Sequence, residues 1–221
     1  MRFDVDQNFL FRFMHINKCA GTSIHEFFKS NGIVPTHGPS SSGDHLIITK
    51  HDKLWNNLNI TNLTTVRNPY NRVYSIYMQW CFNGWLRYEE PFTVFVDQLP
   101  LCYQDGHTKR VISDTFYNKL KVRSKTPEEL SAVGIRMIKP CSFWINDLER
   151  FKVFKVEEIN ELQNYFASNG FEITENINNI KAPETITEGE QCYLYKYDRR
   201  RIEIVNELFD EDFKNFDYEK V

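Results

Sequence analysis

The sequence lacks several features that mark whole classes of proteins. Its 221 residues contain no apolar run near the ~18 residues that a membrane-spanning helix needs. The acidic N-terminal segment MRFDVDQ lacks the apolar stretch of a secretory signal. The net charge of −3 argues against a general nucleic-acid binder, so any anion site must be local. These absences predict a cytoplasmic protein with no membrane span and no nucleic-acid partner.

The cysteines lack the pattern of a zinc site or of a disulfide framework. There are five of them, an odd number, and none forms a C-x-x-C pair; they are Cys19, Cys81, Cys102, Cys141 and Cys192. This usage is typical of reduced thiols in a cytoplasm. We therefore expect no metal centre built on these thiols.

The hydrophobic content of 41% and the aromatic content of 15% are those of a folded chain with a real core. The length suits one domain over 1–221 and is short for two. Strands are predicted at 9–16, 62–66 and 151–156, and helices at 22–30, 68–80, 126–134, 157–170 and 197–216. Residues 34–44 read as a loop, and 81–125 as short helices and loops. Strands that alternate with helices predict an α/β fold with a mostly parallel sheet.

The first chemical motif is NKCAGTS, residues 17–23, at the end of the first strand. A helix that begins here offers unpaired N–H groups and a partial positive charge, to which Lys18 adds a full charge. Gly21 permits close backbone approach, and Thr22 and Ser23 add hydroxyl donors. A phosphate or sulfate fits this pattern. The alternative is an ordinary strand-to-helix turn with a surface lysine.

The second motif is VRNPYNRVYSIY, residues 66–77. Arg67 ends a strand, and Ser75 follows two turns into the next helix, so the two can bind a second anion. Arg72 either joins them or ties the helix to the sheet through a carboxylate; the structural role is favoured for Arg72 and disfavoured for Arg67.

Together the two motifs resemble a known family. HINKCAGTSI looks like the HIPKTAGTS 5′-phosphosulfate loop of sulfotransferases that use 3′-phosphoadenosine 5′-phosphosulfate (PAPS), and VRNPYNRVYSIY looks like their 3′-phosphate motif VRNPxxRxxSxY. The carbohydrate branch, with the heparan and chondroitin enzymes, is the most similar, and the segment from Tyr197 to Tyr218 resembles its closing helix. Asn17 stands where the family commonly has proline, and Cys19 where it often has threonine; neither change removes a ligand group.

The resemblance implies a P-loop-NTPase-like three-layer fold with a mostly parallel central sheet flanked by helices. It implies transfer of the sulfuryl group from PAPS, the co-substrate, to an acceptor hydroxyl, with no metal. Arg67 and Ser75 would hold the 3′-phosphate, and Lys18 would also neutralise charge on the leaving group. The 5′-phosphosulfate would be held by the loop residues Lys18, Cys19, Ala20, Gly21, Thr22 and Ser23. The acceptor would be a carbohydrate.

The acceptor hydroxyl must lose a proton, and histidine suits that role near neutral pH. Relatives place a base histidine between the two motifs, which favours His51 in TKHDKL. His45 fits the spacing of some relatives equally well. Asp44 or Asp52 would be a weaker choice because a carboxylate titrates too low.

The remaining histidines and aromatics are assigned with less support from the motifs. His15 reads either as a packed residue of the first strand or as one that supports the binding residues, and His25 and His107 read as structural. RMIKPCSFWIND, residues 136–147, resembles the stretch after the family's variable segment and is expected to line the acceptor cleft. Trp144 there is either a platform for a sugar or a core aromatic.

Two other functions stay open at this point. One is a non-catalytic module on the same fold that binds a nucleotide or a sulfated ligand. The other is a kinase-like transferase, which needs the G-x-x-x-x-G-K-[ST] loop that this sequence lacks. The identity of the acceptor and the oligomeric state are not readable from the sequence.

Overall fold

The computed structural model describes residues 10–35, 60–82, 86, 91–105, 137–145, 147–180 and 193–221. Within these ranges the chain forms three strands and seven α-helices, in the order β1 Phe11–Met14, α1 Gly21–Ser30, β2 Thr61–Val66, α2 Pro69–Phe82, α3 Phe92–Asp105, α4 Cys141–Trp144, β3 Phe151–Lys155, α5 Asn160–Ser168, α6 Arg199–Leu208 and α7 Asp210–Asn215. Short 3-10 turns cover Leu148–Arg150, Val156–Glu158, Ile177–Asn179 and Tyr193–Lys196. Most of the predicted loop at 34–44 and the predicted helix at 126–134 lie outside the described residues.

The described residues group into two compact units. The first takes its residues from Met1–Asn68 and Cys141–Glu190, and the second from Pro69–Pro140 and Gln191–Val221. The single domain over 1–221 stays a prediction.

The first unit is built on a parallel sheet with the strand order β1-β2-β3. Phe13 lies opposite Leu63, and Thr65 lies opposite Phe154. Since every pairing among the described strands is parallel, the prediction of an α/β fold with a mostly parallel sheet is confirmed. The architecture is compatible with three layers.

Both faces of the β1–β2 pair are buried, as in most parallel sheets. One face contributes Phe11, Phe13 and Leu63 to a core completed by side chains of α1 and α5, namely Ile24, Phe27, Phe28, Leu162 and Phe166. The other face carries Arg12, Met14, Asn62, Thr64 and Val66, all buried. The side-chain amide of Asn62 donates to the carbonyl oxygen of Arg150 at 3.2 Å, so some polar groups of this face have hydrogen-bond partners within the unit.

Helix α1 ends where the sequence predicts. Gly32 takes the left-handed φ of 63°, which favours glycine, and the next amide, Ile33 N–H, bonds back to the Phe28 carbonyl at 2.8 Å. The Asn31 side chain donates to the carbonyls of Phe27 and Glu175 at 2.9 and 3.1 Å. It also accepts from the Thr174 and Glu175 amides, so it fastens the end of α1 to the segment after α5.

The second unit packs its helices around a second aromatic core. Helix α3 has 14 residues, longer than the short helices expected for 81–125. Its buried residues Phe92, Phe95, Val96 and Leu99 follow helical spacing, but the exposed Val94 between them obscures the pattern in the sequence. They share this core with buried side chains of α2, of α6 and α7, and of the residue between those two helices, namely Tyr70, Val73, Ile76, Trp80, Val205, Phe213 and Phe209.

The C-terminal helix is two helices. The predicted helix over 197–216 divides at Phe209, whose φ of −115° leaves the helical range between α6 and α7. The predicted apolar stripe is confirmed, since Val205 and Phe209 are buried and Ile202 and Leu208 pack against them. Among the described helices, none is both long and apolar enough to cross a membrane.

Candidate functional site

The turn between β1 and α1 has an unusual backbone. Lys18 and Ala20 both take left-handed φ values, 61° and 60°, although neither is glycine. Left-handed conformations cost non-glycine residues roughly 1–2 kcal/mol each, and such residues cluster at functional sites. The Cys19 amide between them bonds to the Ile16 carbonyl at 3.2 Å, which closes the turn.

The first turn of α1 has no capping side chain at its N-cap position. Its N-cap is Ala20, whose methyl group cannot accept a hydrogen bond from the helix amides. Its first turn, Gly21 to Ile24, carries no acidic side chain. The partial positive charge of this helix end is therefore not offset by an acidic side chain of the first turn.

His15 lies directly against Gly21. A methyl group built on Gly21 would overlap the His15 imidazole, including the ring carbon attached to Cβ. The His15 ring also lies 5.5 Å from the His25 ring, centroid to centroid. Glycine is required at position 21 because a larger residue would collide with the His15 ring. Its backbone φ does not require glycine, since Gly21 occupies an ordinary helical position.

The ring of His25 packs against those of Phe13 and Phe28, with centroid distances of 5.7 and 6.4 Å. Burial lowers the pKa of His25 below its ordinary value, and the neighbouring Glu26 carboxylate offsets part of that shift. His25 is therefore a neutral packing residue at neutral pH, in line with its predicted structural role.

Strand β2 brings Arg67, near the start of the second motif, to the same edge of the sheet. Because β1 and β2 are parallel neighbours, the residues that follow them, Lys18 and Arg67, leave the sheet at the same end. The Thr65 hydroxyl donates to the Cys19 carbonyl at 2.5 Å, which joins the end of β2 to the turn itself. The Thr64 hydroxyl donates to the Met14 carbonyl at 2.9 Å. The backbone N–H of Asn68 donates to the Glu157 carboxylate at 2.9 Å, which fixes the chain just after Arg67.

The first unit thus holds seven of the predicted binding residues. Lys18, Ala20, Ser23 and Arg67 are half-buried, Cys19 and Gly21 are buried, and Thr22 is exposed. Ser75 is half-buried on α2 in the second unit. The predicted bases His51 and His45, with Asp44 and Asp52, lie outside the described residues.

Two of the open interpretations are settled by burial. Arg72 is fully buried, and its guanidinium donates to the carbonyls of Lys139 and Met137 at 2.7 and 3.2 Å. Arg72 therefore has a structural role, but these two contacts tie α2 to the segment before α4 through backbone carbonyls, where the sequence predicted a tie to the sheet through a carboxylate. Trp144 is 1% exposed, so it presents no open ring face to a sugar. The interpretation of Trp144 as a sugar platform is wrong, and it is a core aromatic.

Sequence reasoning missed three contributors to the turn: Thr65, the His15–Gly21 contact and Cys141, whose Sγ lies 3.6 Å from that of Cys19. Thr64 and Thr65 have a signal in the sequence. Two consecutive threonines that end a buried strand need partners for both hydroxyls, and nearby carbonyls are the natural acceptors. The cysteine pair has no such signal, because its members are 122 positions apart.

No protein family, curated protein or solved structure matches this chain significantly. Within the described ranges, no group of three or more histidine, cysteine or acidic side chains could hold a metal ion.

Proposed function

We propose that the protein is a PAPS-dependent sulfotransferase with a P-loop-NTPase-like fold, and that it sulfates a hydroxyl, most simply on a carbohydrate. The observation that carries the proposal is the arrangement at one edge of the sheet. A strained turn with Lys18 leads into an uncapped helix, and Arg67 follows the neighbouring parallel strand. The two sequence motifs supply the specific chemistry of the ligand.

In this proposal the turn at residues 18–23 binds the 5′-phosphosulfate. The N–H groups at the start of α1 and the Thr22 and Ser23 hydroxyls donate to its oxygens, and Lys18 supplies a full positive charge. During transfer, negative charge grows on the oxygen that links sulfur to phosphorus, and the Lys18 ammonium stabilises it there.

Arg67 binds the 3′-phosphate, which distinguishes PAPS from ATP. A guanidinium gives two parallel charged hydrogen bonds to a phosphate, each contributing roughly 1.5–3 kcal/mol. Ser75 keeps the role that the motif predicts, as a hydroxyl donor to the same phosphate. The acceptor proton goes to His51, with His45 as the alternative base.

The first experiment compares ligands by thermal unfolding. Adenosine 3′,5′-bisphosphate should raise the melting temperature, and ATP with Mg²⁺ should do so much less, because a ligand stabilises by RT ln(1 + [L]/Kd). Stabilisation by ATP with Mg²⁺ and none by the bisphosphate would refute the proposal and favour a kinase-like transferase.

Variants then test the named residues. Arg67→Ala should weaken bisphosphate binding by about tenfold to a hundredfold, because one charged contact is lost. Lys18→Met should both weaken bisphosphate binding and lower the rate of sulfuryl transfer. Lys29→Met is the matched control, since Lys29 lies at the far end of α1 with its side chain 79% exposed. If Lys29→Met weakened binding as much as Lys18→Met, the effect would be general electrostatics and not a site.

Transfer of labelled sulfate from PAPS to a panel of carbohydrate acceptors tests the reaction. His51→Ala should abolish transfer with bisphosphate binding nearly intact, and unchanged turnover would move the base to His45. Tight bisphosphate binding with no transfer to any acceptor would favour the non-catalytic binding module.

A further inference from the structure

Two thiols lie in contact at the turn that the proposed function assigns to the 5′-phosphosulfate. The Sγ atoms of Cys19 and Cys141 are 3.6 Å apart, and both side chains are fully buried. Both residues belong to the first unit, Cys19 in the turn and Cys141 at the start of α4. Neither is in a disulfide.

We propose that Cys19 and Cys141 are a redox-sensitive pair whose disulfide changes the geometry of the turn and so weakens anion binding there. The effect on binding rests on the proposed function, whereas formation of the disulfide does not.

The short distance between the two sulfurs favours a disulfide, and the contacts of Cys19 mean that the disulfide would change the turn. A disulfide has its sulfurs about 2.05 Å apart, so bond formation must draw the two together by about 1.5 Å. Cys19 has little freedom to follow without disturbing its neighbours. Its amide is bonded to Ile16, its carbonyl accepts from Thr65, and the residues on either side hold left-handed φ values. Movement of Cys19 therefore re-orients the Lys18 and Ala20 peptides, which border the proposed site.

A peroxide is the class of oxidant that suits this enclosed pair, because hydrogen peroxide is hardly larger than water. One sulfur attacks the peroxide, the O–O bond breaks, and the sulfur becomes a sulfenic acid with release of one water. The second thiol then attacks that sulfur, the S–S bond forms and the S–O bond breaks, which releases a second water. Two thiols lose two electrons and two protons in total, and a dithiol reverses the step by exchange.

Burial makes the reaction slow, because an oxidant reaches buried thiols only when the structure opens locally. The hydrogen bond from the Thr65 hydroxyl to the Cys19 carbonyl is one of the bonds that keep the turn closed. Thr65→Val keeps the shape of the side chain and removes this bond, so it should speed disulfide formation.

The test treats the folded protein with hydrogen peroxide and reads two signals. Mass spectrometry should find the Cys19 and Cys141 peptides joined, with the loss of two hydrogen atoms, and a dithiol should restore the thiols. In parallel, bisphosphate binding should weaken by about tenfold and recover on reduction.

Cys141→Ser should remove both signals. Cys81→Ser is the matched control, since Cys81 is a buried cysteine of the second unit that is in no disulfide, and it should leave both signals unchanged. Peroxide that takes Cys19 to sulfinic or sulfonic acid without joining it to Cys141 would overturn the proposal. So would a proven disulfide with unchanged bisphosphate affinity. Absence of bisphosphate binding in the reduced protein counts instead against the proposed function, because the mass of the joined peptides is read independently.

Discussion

Replacing Gly21 by alanine sets two physical effects against each other. Gly21 is the first residue of α1, where alanine is the better helix former by at most ~1 kcal/mol. The new methyl group, however, would overlap the Cδ2, Nε2 and Cγ atoms of the His15 imidazole, along one whole side of the ring. Since the overlap reaches the ring carbon attached to Cβ, a small tilt of the ring tip cannot relieve it. His15 must rotate as a whole, away from its contact with His25.

The structure thus predicts the sign of the change. Overpacking of this kind costs about 1–3 kcal/mol, more than the gain in helix propensity. Gly21→Ala should therefore lower the free energy of unfolding by about 1–2 kcal/mol. When His15→Ala has removed the ring, the same Gly21→Ala change should be neutral, or stabilising by up to ~1 kcal/mol. The coupling energy between the two changes should be about 2 kcal/mol.

Urea unfolding of the wild type, the two single variants and the double variant measures this coupling. Gly32→Ala is the control, because its cost comes from a φ of 63° with no described atom within 4 Å of the added carbon. That cost should be the same whether or not His15 is present. If the two changes at positions 15 and 21 are additive, the ring does not lie against the glycine, and the geometry of the turn given above is wrong.

Three further predictions concern packing and pH. The folded-state pKa of His25 is lowered, so between that value and its ordinary pKa of 6.5 the unfolded chain binds more protons. Stability should fall as the pH drops below about 6.5, and His25→Phe should flatten this part of the profile; an identical profile would contradict the lowered pKa. Arg72→Lys should lower the free energy of unfolding by about 2 kcal/mol, because one ammonium replaces a buried guanidinium that donates to two backbone carbonyls; urea unfolding checks this, and a change near zero would show the contacts to be dispensable. Tyr197→Phe should cost about 1 kcal/mol in the same assay, since the hydroxyl donates to the Tyr70 carbonyl at 2.8 Å, and Tyr195→Phe, at a 63% exposed site, should cost almost nothing.

The elements that the sequence predicts well have strong local patterns. Strand β2 is rich in branched residues, α1 has a glycine just past its end, and α5 repeats apolar residues at helical spacing. In each case a signal within one short segment, such as composition, a terminal glycine or apolar spacing, decides the structure. The same local reading also finds the residues of both candidate anion motifs, because each motif sits where a strand gives way to a helix.

The misses come from contacts that no local pattern encodes. The break at Phe209 falls inside a continuous helical pattern, and Phe209 is buried in the core of the second unit. Trp144 reads equally well as a binding platform or a core residue, and only its 1% exposure decides between them. The pairing of Cys19 with Cys141 depends on how distant segments pack, so the spacing of cysteines could not predict it.

The backbone of the turn bears on the choice between an anion site and an ordinary connection. An ordinary turn would place glycine at its left-handed positions, because glycine takes them without strain. Here the glycine occupies a helical position against His15, while Lys18 and Ala20 take the left-handed ones. Such an arrangement gains nothing in stability, and it must be held by bonds such as those of Cys19 to Ile16 and Thr65. Strain held in this way at a strand end, on a residue with a charged side chain, supports the proposed anion site, because strained residues cluster at functional sites.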